Sequence, residues 1–229
     1  VTTGLTPTSD SPVKIAMSGG SYTLKEGDEK HFTSDKDSTT YQSVYTGGAI
    51  WLSAGDHEHP ICGDKNCTKD EHKLPEGQKW QPVSTLTDGM AEGYYYLTGE
   101  ITLNDTWSPK NSVTLCLNGH SITSAGSPAI KVTNVTLTLC DCKNTGTVSA
   151  TADGGRGVCI KGGTLNLYGG TVTGKQYGVY MEVLNGATNT FDMYGGTIQG
   201  CYTGVYMGSR TDAANAFNMS GGTITGNGI

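Results

Sequence analysis

The sequence predicts an all-β protein, a right-handed parallel β-helix of three short strands per coil and about five coils, preceded by an N-terminal cap that contains a small zinc loop. Three observations lead there. The 229 residues include 34 Gly and only 16% charged residues, with abundant Thr, Ser and Asn, a composition that disfavours helices and suits strands joined by turns. The segments Thr164-Leu-Asn-Leu-Tyr-Gly-Gly-Thr-Val-Thr-Gly174, Thr190-Phe-Asp-Met-Tyr-Gly-Gly-Thr-Ile-Gln-Gly200 and Ala216-Phe-Asn-Met-Ser-Gly-Gly-Thr-Ile-Thr-Gly226 recur every 26 residues. Within each copy apolar residues alternate with polar ones, the period of a strand with one buried face.

Taken in chain order, Val1 to Pro12 is a Thr/Ser/Pro-rich arm, and Ile15 to Leu24 and Tyr41 to Leu52 read as strands. Gly93-Tyr-Tyr-Tyr-Leu-Thr98 reads as another, leading into Ile101-Thr-Leu103. A solenoid end exposes unpaired strands, so residues 1–110 are expected to form the arm and cap and 111–229 the coils. Weaker copies at Thr114-Leu-Cys-Leu-Asn118 and Thr136-Leu-Thr-Leu-Cys140 give steps of 22 and 28 residues before the regular ones. The alignment yields one column of Leu115, Leu137, Leu165, Phe191 and Phe217, and a second of Leu117, Leu139, Leu167, Met193 and Met219. A third holds Ile122, Val148, Val172, Ile198 and Ile224; a fourth is carried by Val158-Cys-Ile160, Val179-Tyr-Met181 and Val205-Tyr-Met207. Strands this short survive only by stacking coil on coil about 4.8 Å apart, which pairs every strand and buries each column on itself. The pairs Gly169-Gly170, Gly195-Gly196 and Gly221-Gly222 are expected to supply positive φ at the corners. A β-sandwich also has closely spaced turns, but it does not keep residue identity at a fixed period.

One loop breaks the pattern: His57-Glu-His59-Pro-Ile-Cys62-Gly-Asp-Lys-Asn-Cys67-Thr-Lys-Asp-Glu-His72. Thiolate and imidazole groups at this spacing can close a tetrahedral zinc shell within one short segment. The expected ligands are His59, Cys62, Cys67 and His72, with His57 as an alternative ligand or neighbour. Four protein ligands leave no position for water, so the zinc would be structural. A local Cys62–Cys67 disulfide and ordinary solvated histidines are the competing readings. Seven cysteines cannot all pair within one chain. Cys116 is expected to face outward, one coil from Cys140 and Cys142, so a bridge there is geometrically allowed; these three, with Cys159 and Cys201, read more simply as thiols.

The formal charge of −6 has no Lys/Arg cluster interleaved with aromatics, which argues against nucleic acid. No apolar run reaches the roughly 20 residues that cross a bilayer. Tyr180 and Tyr206 recur at equivalent outward positions, as do Tyr168 and Tyr194. Such ladders can stack on sugar rings, or simply stabilise the solenoid.

The stretches Gly93-Tyr-Tyr-Tyr-Leu-Thr98 and Val113-Thr-Leu-Cys-Leu-Asn-Gly-His120, followed by the Gly-Gly-Thr coils, resemble β-helix domains in large cell-surface proteins of Gram-positive gut bacteria, where a Cys/His loop often precedes the Tyr-Tyr-Leu segment. The resemblance covers residues 55–229. It implies a secreted or wall-attached multidomain protein in which the module is adhesive, glycan-facing or a spacer, with a glycan or host surface glycoprotein as partner. The fold also resembles pectate lyases and polygalacturonases. Their catalytic motifs are lacking: only Gly119-His120 echoes them, and the outward acids Asp141, Asp153, Glu182 and Asp192, with Arg156 and Lys161 as bases, form no matched pair for sugar chemistry. The expectation is a non-catalytic adhesive or glycan-binding module, with a rigid spacer as the alternative and a lyase or hydrolase as the further one. The last copy ends inside the pattern, so further coils are expected after Ile229, and the exposed end is expected to favour end-to-end self-association.

Overall fold

The computed structural model describes residues 29–33, 40–46, 49–54, 57–183, 186–209 and 214–226, with backbone alone before residue 57 and at 200–201. The expected arm over Val1 to Pro12 and strand over Ile15 to Leu24 lie outside these residues. The chain divides into two compact units, Val1–His57 and Glu58–Ile229. In the first, β1 (Glu29–Thr33), β2 (Thr40–Thr46) and β3 (Ala49–Ala54) form an antiparallel sheet in that order. The single strand expected over Tyr41 to Leu52 is thus two strands that pair with each other, Tyr41 opposite Ala54. Between them the sequence reads Gly47-Gly48, residues that hairpin connections favour.

The second unit is a parallel β-solenoid. It opens with β4 (Gln81–Val83), β5 (Gly93–Leu97) and β6 (Ile101–Leu103). Four three-strand coils follow. They are β7 (Val113–Cys116), β8 (Ile122–Ser124) and β9 (Ile130–Thr133); β10 (Thr136–Cys140), β11 (Thr147–Ala150) and β12 (Arg156–Lys161); β13 (Thr164–Leu167), β14 (Thr171–Gly174) and β15 (Tyr177–Met181); and β16 (Thr188–Met193), β17 (Thr197–Cys201) and β18 (Thr203–Met207). The strands β19 (Ala214–Met219) and β20 (Thr223–Gly226) begin another. Three parallel sheets run along the solenoid, in the orders β4-β5-β7-β10-β13-β16-β19, β6-β8-β11-β14-β17-β20 and β9-β12-β15-β18.

The sheets reach upstream of the expected start at residue 111. Tyr95, Leu97 and Ile101 are buried on the same core as the later coils, and Trp107 bridges to Ile130 where a third strand would stand. This partial coil carries no Gly-Gly-Thr signature, which is why the repeat did not mark it.

The core is the stacked interior columns. Leu137, Leu165 and Phe191 align, as do Ile122, Val148, Val172 and Ile198, all fully buried. At the first step the observed register differs from the expected one: Leu137 pairs with Val113 and Leu139 with Leu115, a step of 24 residues in place of 22. A slip of two leaves every inward residue inward, so alternation alone does not choose between these registers.

The glycine pairs divide their work. Gly196 has φ of +76°, a left-handed conformation that glycine adopts without strain. Gly195 does not; a Cβ there would run into the carbonyl oxygen of Tyr168 in the preceding coil. Polar ladders reinforce the outer faces and corners. Asn189 is fully buried, accepts from Gly162 N–H, and donates to Glu182 O and Asn215 Oδ1. Among the described residues no helix is long and apolar enough to cross a membrane.

Candidate metal centres

Cys116 faces outward, as the alternation predicts, yet it is fully buried, and so is its register partner Cys140. The cover is the His/Cys loop, which lies on the outer face of the first sheet. Trp80, Tyr96, Cys116 and Cys140 form a second small core there, packed round by Leu74, Tyr94, Cys142 and Tyr168.

The loop is held by its own backbone. Ile61 N–H donates to His72 O at 2.7 Å, Gly63 N–H to Pro60 O at 2.8 Å and Cys67 N–H to Asp64 O at 3.1 Å. Asp64 Oδ1 accepts from Asn66 N–H at 2.9 Å, the side-chain-to-backbone turn that Asp favours. Gly63 has φ of +83°, and a Cβ on it would sit 3.2 Å from the Asp141 backbone. Glycine is therefore favoured there by its conformation, and a side chain would also crowd the coil. A short 3-10 turn, Asp70–His72, brings His72 back toward Cys67.

The result is a group of three: Cys62, Cys67 and His72 have ligand atoms all within 4.8 Å of one another and are close enough to bind a metal ion. Cys67 Sγ lies 3.2 Å from His72 Nδ1, near the ~3.5 Å that separates a thiolate and an imidazole nitrogen on one tetrahedral metal with bonds of about 2.3 and 2.0 Å. The Cys62 thiol is pushed up by burial against a hydrogen bond from Asp64 N–H, and further by Cys67 beside it. The His72 ring meets Tyr168 edge-on, centroids 5.0 Å apart.

His59, expected as the fourth ligand of this group, is placed elsewhere. It belongs with His57, Cys116 and Cys142 in a second group whose ligand atoms also lie within 4.8 Å of one another. Its ring packs on Trp80 at 4.5 Å, and the indole Nε1–H of Trp80 donates to His59 O at 2.9 Å. His59 Nδ1 lies 2.6 Å from Pro60 O; a carbonyl only accepts, so Nδ1 carries the proton and Nε2 is the nitrogen with a lone pair that can ligate. The Cys116 thiol is pushed up by burial and then by Cys140. Cys142 is pushed up by its hydrogen bond with Cys116 and by burial, against His59, which pulls it down. All six described cysteines are free thiols; the side chain of Cys201 lies outside the described residues.

Sequence reasoning missed this second group because its members come from three places in the chain. The available signal was the repeat itself, which puts Cys116 and Cys140 at outward, apolar-lined positions that only a covering segment would bury.

The tyrosines expected as a ligand surface do stack. Tyr168 and Tyr194 lie parallel with centroids 4.5 Å apart, Tyr180 and Tyr206 with centroids 5.1 Å apart. The Arg156 guanidinium sits 4.0 Å over the centroid of Tyr180. Burial raises the Tyr168 hydroxyl to about 12, helped by Tyr194.

The acids weighed as catalytic groups all have partners. Asp141 is buried and accepts from Gly119 N–H and Lys143 N–H through Oδ1 and from Gly146 N–H through Oδ2. Asp153 pairs with Lys175 at 2.7 Å and Glu182 with Lys161 at 3.0 Å. Asp192 accepts from Asn218 Nδ2 at 2.7 Å. His120 Nδ1 lies 3.5 Å from Glu100.

Comparison with family models, with curated proteins and with solved structures gave no match to this chain.

Proposed function

We propose that the Glu58–Ile229 unit is a non-catalytic solenoid module of a secreted or wall-attached protein, stapled by a structural zinc ion at Cys62, Cys67 and His72, and that it acts as a rigid spacer. One observation carries this reading: the outward groups that would react with or grip a ligand are engaged with one another along the solenoid. Tyr180 lies between the Arg156 guanidinium and the Tyr206 ring. Tyr168 presents one face to Tyr194 and packs against the His72 ring. A sugar ring stacks on an aromatic face, and on Tyr168 and Tyr180 protein groups already occupy that face. Stacking of this kind contributes ~0.5–1.5 kcal/mol per pair, and a cation over a ring about 0.5–1 kcal/mol at exposed sites. Both stiffen the rod.

Zinc suits the loop because two thiolates and an imidazole are its preferred donors, and two thiolates neutralise its charge. The three residues leave a fourth position, and the structural role proposed here requires that a nearby side chain close it rather than water.

A second reading, a glycan-binding surface, is favoured by exposure: Tyr194 is 45%, Tyr202 62% and Tyr206 40% accessible. A glycan array separates the two. The spacer reading expects no saturable binding and a loss of stability in Tyr206→Ala. A saturable hit abolished by Tyr194→Ala with Tyr206→Ala would overturn it in favour of the glycan surface.

A further inference from the structure

We infer that the protein holds a second metal ion, bound by His59, Cys116 and Cys142 with His57 as the fourth ligand, and that this ion clamps the His/Cys loop to the outer face of the solenoid. The centre shares no residue with the Cys62–Cys67–His72 group, so it stands or falls independently of the function proposed above.

Donor chemistry and geometry come first. Two thiols and two imidazoles within 4.8 Å of one another match the donor set and approximate span of a closed tetrahedral zinc shell, in which neighbouring ligand atoms lie ~3.3–3.8 Å apart. His59 is already oriented: with Nδ1–H donating to Pro60 O, its Nε2 is the ligating nitrogen, and the bond to Pro60 fixes the ring as second hydrogen bonds of metal-bound histidines do.

Burial supports the assignment. His59 is 7% and Cys116 0% accessible. Packing accounts for a buried Cys116 against Cys140 and Trp80, and Cys142 Sγ lies 3.6 Å from Asn118 Oδ1; a metal ion would in addition account for the His59 imidazole and the two thiols gathered at one point. A dication with two thiolates and two neutral imidazoles is neutral overall, so the ion can be buried there without an uncompensated charge.

Topology states the consequence. His59 belongs to the loop, Cys116 ends β7, and Cys142 follows β10 by two residues, so one ion joins the loop to two successive coils. Metal binding energy at such a centre is folding energy. The two centres also differ in kind: this one has four ligands and is closed, whereas the other has three.

The test uses metal-free protein titrated with zinc(II) and, in parallel, with cobalt(II), whose thiolate charge-transfer absorption reports sulfur ligation. Wild type is expected to bind two equivalents, Cys116→Ser with Cys142→Ser one, and Cys62→Ser with Cys67→Ser one. Each double variant should keep about half of the cobalt absorption. A single equivalent that the Cys116/Cys142 variant leaves unchanged overturns the inference, and so does a disulfide joining Cys116 to Cys140 or Cys142 in protein purified without oxidant. A wild type that binds one equivalent, kept by the Cys62/Cys67 variant and lost by the Cys116/Cys142 variant, would sink the other centre and leave this one standing. Because a buried Cys116→Ser variant can fail to fold, thiol alkylation of wild type provides the second readout. Cys142 is expected to be protected with metal bound and to react at least tenfold faster after chelation; equal rates would overturn the inference.

Discussion

Trp80 joins the loop to the coil. Its ring lies against His59 and Tyr94, its Nε1–H holds the His59 carbonyl, and its side chain caps the outward thiols of Cys116 and Cys140. Trp80→Ala is expected to cost about 3–5 kcal/mol, the usual range for a buried aromatic, whereas Trp80→Phe keeps one ring but loses the rest of the indole and its hydrogen bond to the His59 carbonyl, and should cost less, about 1–3 kcal/mol; urea denaturation of both variants checks this. At Gly195 a single methyl would meet the Tyr168 carbonyl. Gly195→Ala should therefore lower the thermal midpoint by the equivalent of ~1–3 kcal/mol, although alanine is a better strand residue than glycine elsewhere. Glu182 gives a pH prediction. Burial alone would raise its carboxyl, but the hydrogen bond and charge of Lys161, with Cys159, outweigh burial and hold it below its ordinary value. A depressed folded pKa contributes stability that is present above the unfolded value, about 4.3, and is lost as pH falls through the folded one. Glu182→Gln should remove that part of the acid sensitivity, read as a smaller difference in urea midpoint between pH 6 and pH 3 than in wild type.

At the scale of elements, each strand is stable only through the strands above and below it. β10 receives Val113, Leu115 and Cys116 of β7 on one side and Leu165 and Leu167 of β13 on the other, so Leu139 is held between Leu115 and Leu167. Leu139→Ala is expected to cost ~2–5 kcal/mol, at the upper end because neighbours fixed in a ladder cannot collapse into the cavity. The corner before β16 depends on polar pairing. Asn189 satisfies Gly162 N–H and Glu182 O together and passes a hydrogen bond to Asn215. Asn189→Ala leaves those backbone groups without their partner and should cost about 1–3 kcal/mol, measurable as a loss of hydrogen-exchange protection at Gly162.

At the scale of the molecule, the coil of β19 and β20 differs from those before it. Phe191, Met193 and Ile198 are fully buried, whereas Met219 is 47% accessible and Phe217 and Ile224 are only partly covered. Among the described residues no strand pairs with the outer edges of β19 and β20. Open parallel edges with apolar faces invite another coil, so the 229-residue chain is expected to self-associate end to end. The net charge of −6 opposes this weakly, and salt screens it. Light scattering should show mass rising with concentration and more steeply at high salt; a strict monomer throughout would overturn the expectation.

The fold was legible in the sequence because a solenoid writes its geometry as a repeat: columns at Leu165, Phe191 and Phe217, or Val172, Ile198 and Ile224, name their own neighbours. The chemistry of the His/Cys loop was legible too, since thiols and imidazoles at close spacing have few other uses, and three of its expected ligands do meet. What only the tertiary structure decided was partnership across the chain. Spacing within the loop favoured His59 with Cys62, but the loop folds flat on the first sheet, and that contact carries His59 to Cys116 and Cys142 instead. The register of β7 against β10 was likewise open, because a slip of two residues preserves alternation and only packing of the whole coil selects Val113 opposite Leu137. Local pattern fixes which residues face inward; which outward residues are then covered depends on where a distant segment comes to rest.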